Sequence, residues 1–203
     1  MSNANKPQGL APVKSLTGAT WNGQANVYYI PTSDSTNAYA IGDPVATLSG
    51  GADANGVSAV VLATAGSTHP IRGVIIGIGT SETLVADPNN LSLTTIPATK
   101  LYPYYVVVVD DPHVIFEVQE FSGSGSTNFT AADIGKNVNL KAGTNNGFIS
   151  GWTLDDTAAT AADATRQTQL LGIRRTADNA FGSYCKFYVR INLHEFNAAV
   201  VGT

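Results

Sequence analysis

Cysteine, charge and histidine are all scarce in this chain, and each scarcity excludes a class of function. Cys185 is the only cysteine among 203 residues, so neither an internal disulfide nor a cysteine-based metal cluster is expected. A chain of this kind suits a reducing cytoplasm. Charged residues make up 13% of the sequence, where about a quarter is typical of soluble domains. The net charge is −4, no Lys or Arg lies between Lys14 and Arg72, and Arg174-Arg175 is the sole adjacent basic pair. Nucleic-acid affinity draws on a basic stripe that releases counterions, and none is present. No apolar run approaches the roughly 20 residues that span a bilayer. The opening Met-Ser-Asn-Ala-Asn-Lys-Pro-Gln-Gly lacks the apolar centre of a signal peptide. Neither nucleic acid nor membrane is therefore an expected partner.

The chemistry-bearing motifs are also missing. There is no G-x-x-x-x-G-K-[ST] phosphate cradle and no G-x-S-x-G nucleophile elbow. His69, His113 and His194 are scattered, with no H-E-x-x-H. Gly73-Val74-Ile75-Ile76-Gly77-Ile78-Gly79 reads as a strand whose glycines allow close backbone approach. Asp53-Ala54-Asn55-Gly56 resembles part of a calcium loop, but the closing Glu is absent and the segment reads as a turn. Asp110-Asp111-Pro112-His113 puts carboxylates beside an imidazole, a pairing able to do acid–base work, yet these residues also form turns between strands. Cys185 reads as a small packing residue. Trp21 and Trp152 are able to stack on sugars, although core or interface anchoring is commoner for Trp. No cofactor or metal is expected, and the chain is not read as an enzyme.

What remains is β-pattern. In Lys186–His194, Phe187, Val189, Ile191 and Leu193 share one face, with Lys186, Tyr188, Arg190, Asn192 and His194 on the other, the period-2 signature of a strand with one buried side. Val114, Phe116 and Val118 alternate in the same way with Glu117 and Gln119. Tyr104–Val109 is apolar on both faces and predicts a strand covered on both. Further strands are predicted over 27–30, 45–48, 57–64, 71–78, 138–140, 148–153 and 169–174, separated by Asn-Gly turns and the Ser-Gly loop 122–126. Phe129–Ile134 predicts one helical turn capped by Thr130, and 155–166 reads as a loop. The expected fold is all-β, a β-barrel or jelly-roll-like sandwich of about ten short strands forming a single domain over 26–203.

Residues 1–25 read as an extended N-terminal arm, punctuated by Pro7, Gly9, Pro12, Gly18 and Gly23. Leu10, Val13, Leu16 and Trp21 give it something to bury. It either folds over its own domain or lies across a neighbouring subunit, and, because it lacks core periodicity, deletion of residues 1–20 is expected to leave the domain folded.

Several segments together resemble the capsid cement, or decoration, proteins of tailed phages and prophages. They are 5–13 running into Trp21-Asn22-Gly23-Gln24, Ile41-Gly42-Asp43-Pro44-Val45, Asp110–Gln119, Ala132-Asp133-Ile134-Gly135, Leu170-Leu171-Gly172-Ile173 and Lys186–Asn192. They span most of the chain in a consistent order, and none is a catalytic motif. The resemblance implies a β subunit, usually trimeric, seated on the capsid exterior over junctions between major capsid proteins. Such a protein is made in the bacterial host cytoplasm and strengthens the shell without carrying a reaction. The residues expected at capsid or subunit contacts are Leu10, Pro12, Val13 and Trp21 of the arm and Arg190, Asn192 and His194 of the last strand. Two other readings stay open: a tail or surface adhesion module binding glycans through Trp and Tyr, and a small β-sandwich hydrolase using Asp111 and His113.

Overall fold

A computed structural model describes residues 3–81, 93–157 and 161–197. The fold is all-β: among the described residues there are fourteen strands and a single 3-10 turn. Strand β1 (Ala11–Ser15) is followed by β2 (Asn26–Ile30), β3 (Tyr39–Ala40), β4 (Pro44–Ala52), β5 (Ser58–Leu62), β6 (Gly73–Gly79), β7 (Thr95–Ile96) and β8 (Tyr104–Val109). Then come β9 (Val114–Gln119), the 3-10 turn Ala131–Asp133, β10 (Asn137–Val138), β11 (Leu140–Lys141), β12 (Thr153–Leu154), β13 (Thr168–Ile173) and β14 (Lys186–Ile191).

Five of these close a barrel in the order β2-β5-β4-β6-β8, with β2 parallel to β5 and antiparallel to β8. Closure leaves no unpaired edge to template aggregation. Tyr28, Ile30, Val45, Val60, Ile75, Tyr104, Val106 and Val108 fill the barrel together with Tyr39 and Ile96 of the small β3–β7 ladder. The apolar run of β8 is thus explained. Tyr104, Val106 and Val108 point inward, half-buried Tyr105 and Val107 face out, and Val109 enters a second core.

That second core lies under an open sheet of order β1-β9-β14-β13-β10. The barrel is inserted in the chain between β1 and β9, which are hydrogen-bonded neighbours. Phe116 and Val118 of β9, Phe187 and Val189 of β14 and Leu170 of β13 supply the buried face. The barrel wall contributes Ala63, Ile71, Val74 and Val109 to the same cluster, and half-buried Leu62 packs against both cores. Gly73 shows why this wall needs a glycine: a Cβ there would lie 2.3 Å from the Val109 carbonyl oxygen.

Three expectations are corrected. The 148–153 segment is mostly loop, because the Asn146 side chain accepts the Phe148 and Ile149 amides and leaves Phe148 70% exposed. The 138–140 strand is two strands, since the chain switches at Asn139 from pairing with β13 to pairing with β12. The alternation of the last strand stops at Ile191, where the Asn192 and Leu193 amides turn to the Gln167 carbonyl; Asn192 and His194 then point inward while Leu193 is only half-buried. The N-terminal segment folds over its own domain, one of the two readings its sequence left open. Ala11–Ser15 is the edge strand of the sheet, and Leu10, at 1% exposure, belongs to its core. In the Ala- and Thr-rich loop predicted over 155–166, residues 158–160 lie outside the described residues.

The turn that brings Leu10 inward depends on two glycines in contact. Gly9 has φ +67°, and a Cβ on it would meet the Gly42 carbonyl oxygen at 2.2 Å and the Ser150 side chain at 2.5 Å. The neighbouring Leu10 amide donates to that same Gly42 oxygen at 3.0 Å. Gly9→Ala is expected to cost on the order of 3 kcal/mol, combining left-handed strain with overpacking. Thermal melts check it against Gly18→Ala, whose Cβ would meet nothing within 4 Å.

Candidate interaction surface

The outer face of the open sheet is fixed by strand parity. With Val114, Phe116 and Val118 inward, Ile115, Glu117 and Gln119 face out, and the register sets Arg190, Tyr188 and Lys186 of β14 beside them. One end of this face is covered by the chain's own N-terminus. The Lys6 amide donates to Gln119 Oε1 at 2.9 Å, Gln119 Nε2 donates to Asn5 Oδ1, and Gln8 Nε2 donates to Glu117 Oε1. Asn3 Nδ2 donates to the Ala180 and Ser183 carbonyls across the sheet. β9 is therefore buried along its whole length, including its polar positions.

The rest of the face is open. Ile134, Leu171, Ile173, Phe181 and Tyr188 line a groove of about 700 Å³, with Lys14 and Arg175 also in its wall. A β-bulge between Leu170 and Gly172 lets Leu171 project outward, as bulges re-aim a side chain. Phe181 is 43% exposed. The Lys14 ammonium sits 5.4 Å from the centre of the Tyr188 ring, a cation–π contact.

Charge on this face is one-sided. Lys14, Arg174, Arg175, Lys186 and Arg190 are five of the chain's eleven Lys and Arg residues. Arg174 and Lys186 are spent on Glu117, at 3.2 and 3.4 Å, with Asp178 also in their field. Arg190 donates to Gln169, and burial lowers its guanidinium from the ordinary value. Asp133, next to Ile134, is held by Lys136 at 3.1 Å. Lys14 and Arg175 have no carboxylate partner among the described residues.

The contact residues expected from the sequence divide in two. Arg190 is on the open face, and Pro12 and Val13 lie half-buried in the edge strand, where the register shifts between Pro12 and Lys14. Leu10, Asn192 and His194 are corrected: each is buried inside its own chain. Asn192 Nδ2 donates to the Ala164 and Arg166 carbonyls, and His194 Nδ1 accepts the Phe196 amide. Burial lowers the His194 imidazole below its usual value, and the Arg72 charge adds to this. Trp21 packs partly on the sheet core, its amide donating to the Val13 carbonyl and its Nε1 to the Gln24 carbonyl. Trp152, 2% exposed, is a core residue with no face for a sugar. Asp111 and His113 do meet, at 3.1 Å, but as exposed groups in the β8–β9 turn.

Several buried polar groups escaped the sequence reading, because no period marks them. Gln167 donates to the Thr64 and His69 carbonyls and accepts from the Gly66 and Leu140 amides. Lys100 donates to the Asp34, Asn37 and Ala98 carbonyls, and burial lowers its ammonium. Arg72 binds Glu195 at 2.7 Å and Thr47, and stacks on Phe196, strapping the C-terminal segment to the barrel. Among the described residues no three His, Cys, Asp or Glu side chains converge so as to hold a metal.

Glu120 continues the inward parity of β9 and is fully buried, accepting the Phe129 and Cys185 amides. Burial pushes its carboxyl up to about 7; its two amide donors pull it down, and the nearby Asp156 charge adds to the rise. An acid whose folded value exceeds its ordinary one binds more protons when native, so its contribution to stability falls as pH rises. The window runs from the ordinary 4.5 to about 7, and Asp43, pushed by burial to about 6, acts in the same direction. Glu120→Gln is expected to flatten the loss of melting temperature across this window. Melts at pH 5 and pH 8 check it, and His194, which opposes the trend, is common to both chains. Parallel slopes would refute the assignment.

The fold and this face define an all-β protein whose polar interior is devoted to tying its own loops. Comparison with protein families, curated proteins and solved structures yields no match.

Proposed function

We propose that this chain is a structural component of a virion, a cement protein that seats on the outside of a phage head and ties neighbouring shell subunits together. The observation that carries the reading is the open half of the sheet's outer face, where exposed Phe181 and half-buried Ile134, Leu171, Ile173 and Tyr188 stand beside Lys14 and Arg175, two cations without a carboxylate partner among the described residues. The chain as a whole is sparsely charged, 13%, so a partner docking on it has few charges to desolvate. The resemblance of the ordered sequence segments to cement proteins points to the same reading, as does a fold in which buried polar groups hold loops. Many copies on one lattice gain avidity from effective concentration even when each contact is weak, and trimers would multiply this further.

Sedimentation with purified empty heads of the phage that carries this chain tests the reading. Saturable binding at a fixed ratio to the major capsid protein, together with greater resistance of the heads to heat, is expected. Heads that leave the chain in the supernatant at every concentration would refute it.

A further inference from the structure

We infer that the groove over β13 and β14 receives an acidic, aliphatic segment of a polypeptide partner. The inference rests on the cement reading for the partner's identity, but not for its chemistry. The groove floor is aliphatic and aromatic, from Leu171, Ile173 and Tyr188. Among the described residues, its only charged wall residues are Lys14 and Arg175. The chain as a whole is acidic, with a net charge of −4, so a positive groove whose cations have no carboxylate partner among the described residues runs against its average. Such a field favours carboxylates and repels cations, fixing which partner docks.

The groove's form also selects the occupant. It is open along one side and lacks the converging polar groups that orient a small ligand. Two unpaired cations make a poor phosphate track, because nucleic-acid affinity grows with the number of phosphates neutralised. A carboxylate-bearing segment with one or two aliphatic anchors matches both elements: its apolar side chains cover Leu171 and Phe181, and its acids reach Lys14 and Arg175. Gly172, at the bulge, leaves the floor open, since a Cβ there would meet nothing within 4 Å. Its φ lies outside the left-handed region, so Gly172→Phe is expected to fill the groove without backbone strain, and a melt beside wild type checks that it stays folded.

Two measurements on the full chain separate this inference from the cement reading. In the first, isotope-labelled protein is titrated with a short peptide alternating Glu and Leu, with its Lys-for-Glu counterpart, and with a thymidine oligonucleotide. Amide shifts at Leu171, Gly172, Ile173 and Tyr188 are expected with the Glu peptide alone. They should weaken at least about tenfold in affinity in the Lys14→Glu, Arg175→Glu double variant and be lost in Gly172→Phe. Equal response to the Lys peptide, or a stronger response to the oligonucleotide, overturns the inference. So does a change of oligomeric state in the double variant without peptide, which would show that a second copy covers the groove.

In the second, the same variants are sedimented with empty heads. Wild-type binding with loss in both variants supports the inference. Undiminished binding by both overturns it and leaves the cement reading standing. No head binding by wild type, with the peptide still mapping to the groove, fails the cement reading and supports the groove's chemistry.

Discussion

A chain lacking residues 1–16 is expected not to accumulate as a soluble protein with a cooperative melt. The sequence invites the opposite expectation, because 1–25 has no core periodicity. The structure places Ala11–Ser15 in antiparallel register with β9, with Ala11 opposite Glu117 and Ser15 opposite Val114. Removing it strips β9, a strand buried on both faces, of one ladder and leaves its amides and carbonyls unpaired. It also empties the site of Leu10, and truncating a buried leucine costs about 2–5 kcal/mol by itself. Against a total stability of about 5–15 kcal/mol, the combined loss abolishes folding. Solubility and circular-dichroism melts of this truncation check it, beside one lacking only residues 1–4. The shorter deletion removes the Asn3 bonds to Ala180 and Ser183 but spares the strand, and it should melt as a folded protein. Equal behaviour of the two truncations would show that β1 is dispensable.

Val189→Asp should be nearly as severe. Val189 is fully buried, opposite Leu170 on β13 and Phe116 on β9, at the centre of the sheet's core. A carboxylate there has no partner, and an uncompensated buried charge costs on the order of 3–5 kcal/mol. Arg190, one residue on, faces out, where its guanidinium meets Gln169 at 2.8 Å. Arg190→Ala should cost only about 1 kcal/mol. Urea unfolding of the two variants gives the comparison, and similar midpoints would mean that the faces of β14 are misassigned.

How far the fold was legible depends on how local its causes are. The strands with strict alternation, β9 and β14, could be read because a period of two is written in neighbouring residues. The Thr130 cap could be read too, since Asp133 three residues on accepts both the Thr130 amide and its hydroxyl. Asp53 was legible as a turn, its carboxylate accepting the Asn55 and Val57 amides. What could not be read is what long-range closure decides. The pairing of β1 with β9 spans the entire barrel in sequence, and nothing in Ala11–Ser15 announces it. His194 and Asn192 looked like surface residues because the alternation was extended past Ile191, where Gln167 redirects the chain. The candidate groove was only half legible. Tyr188 falls on the predicted polar face, but Leu171 reaches the groove through a bulge and Lys14 from a segment read as an arm.

If the chain docks on a shell, as proposed, quantitative mass spectrometry of intact, purified virions will count this polypeptide at a constant whole-number ratio to the major capsid protein that survives washing at moderate salt. Virions that carry none of it, or amounts that vary from one preparation to the next, would contradict the proposal.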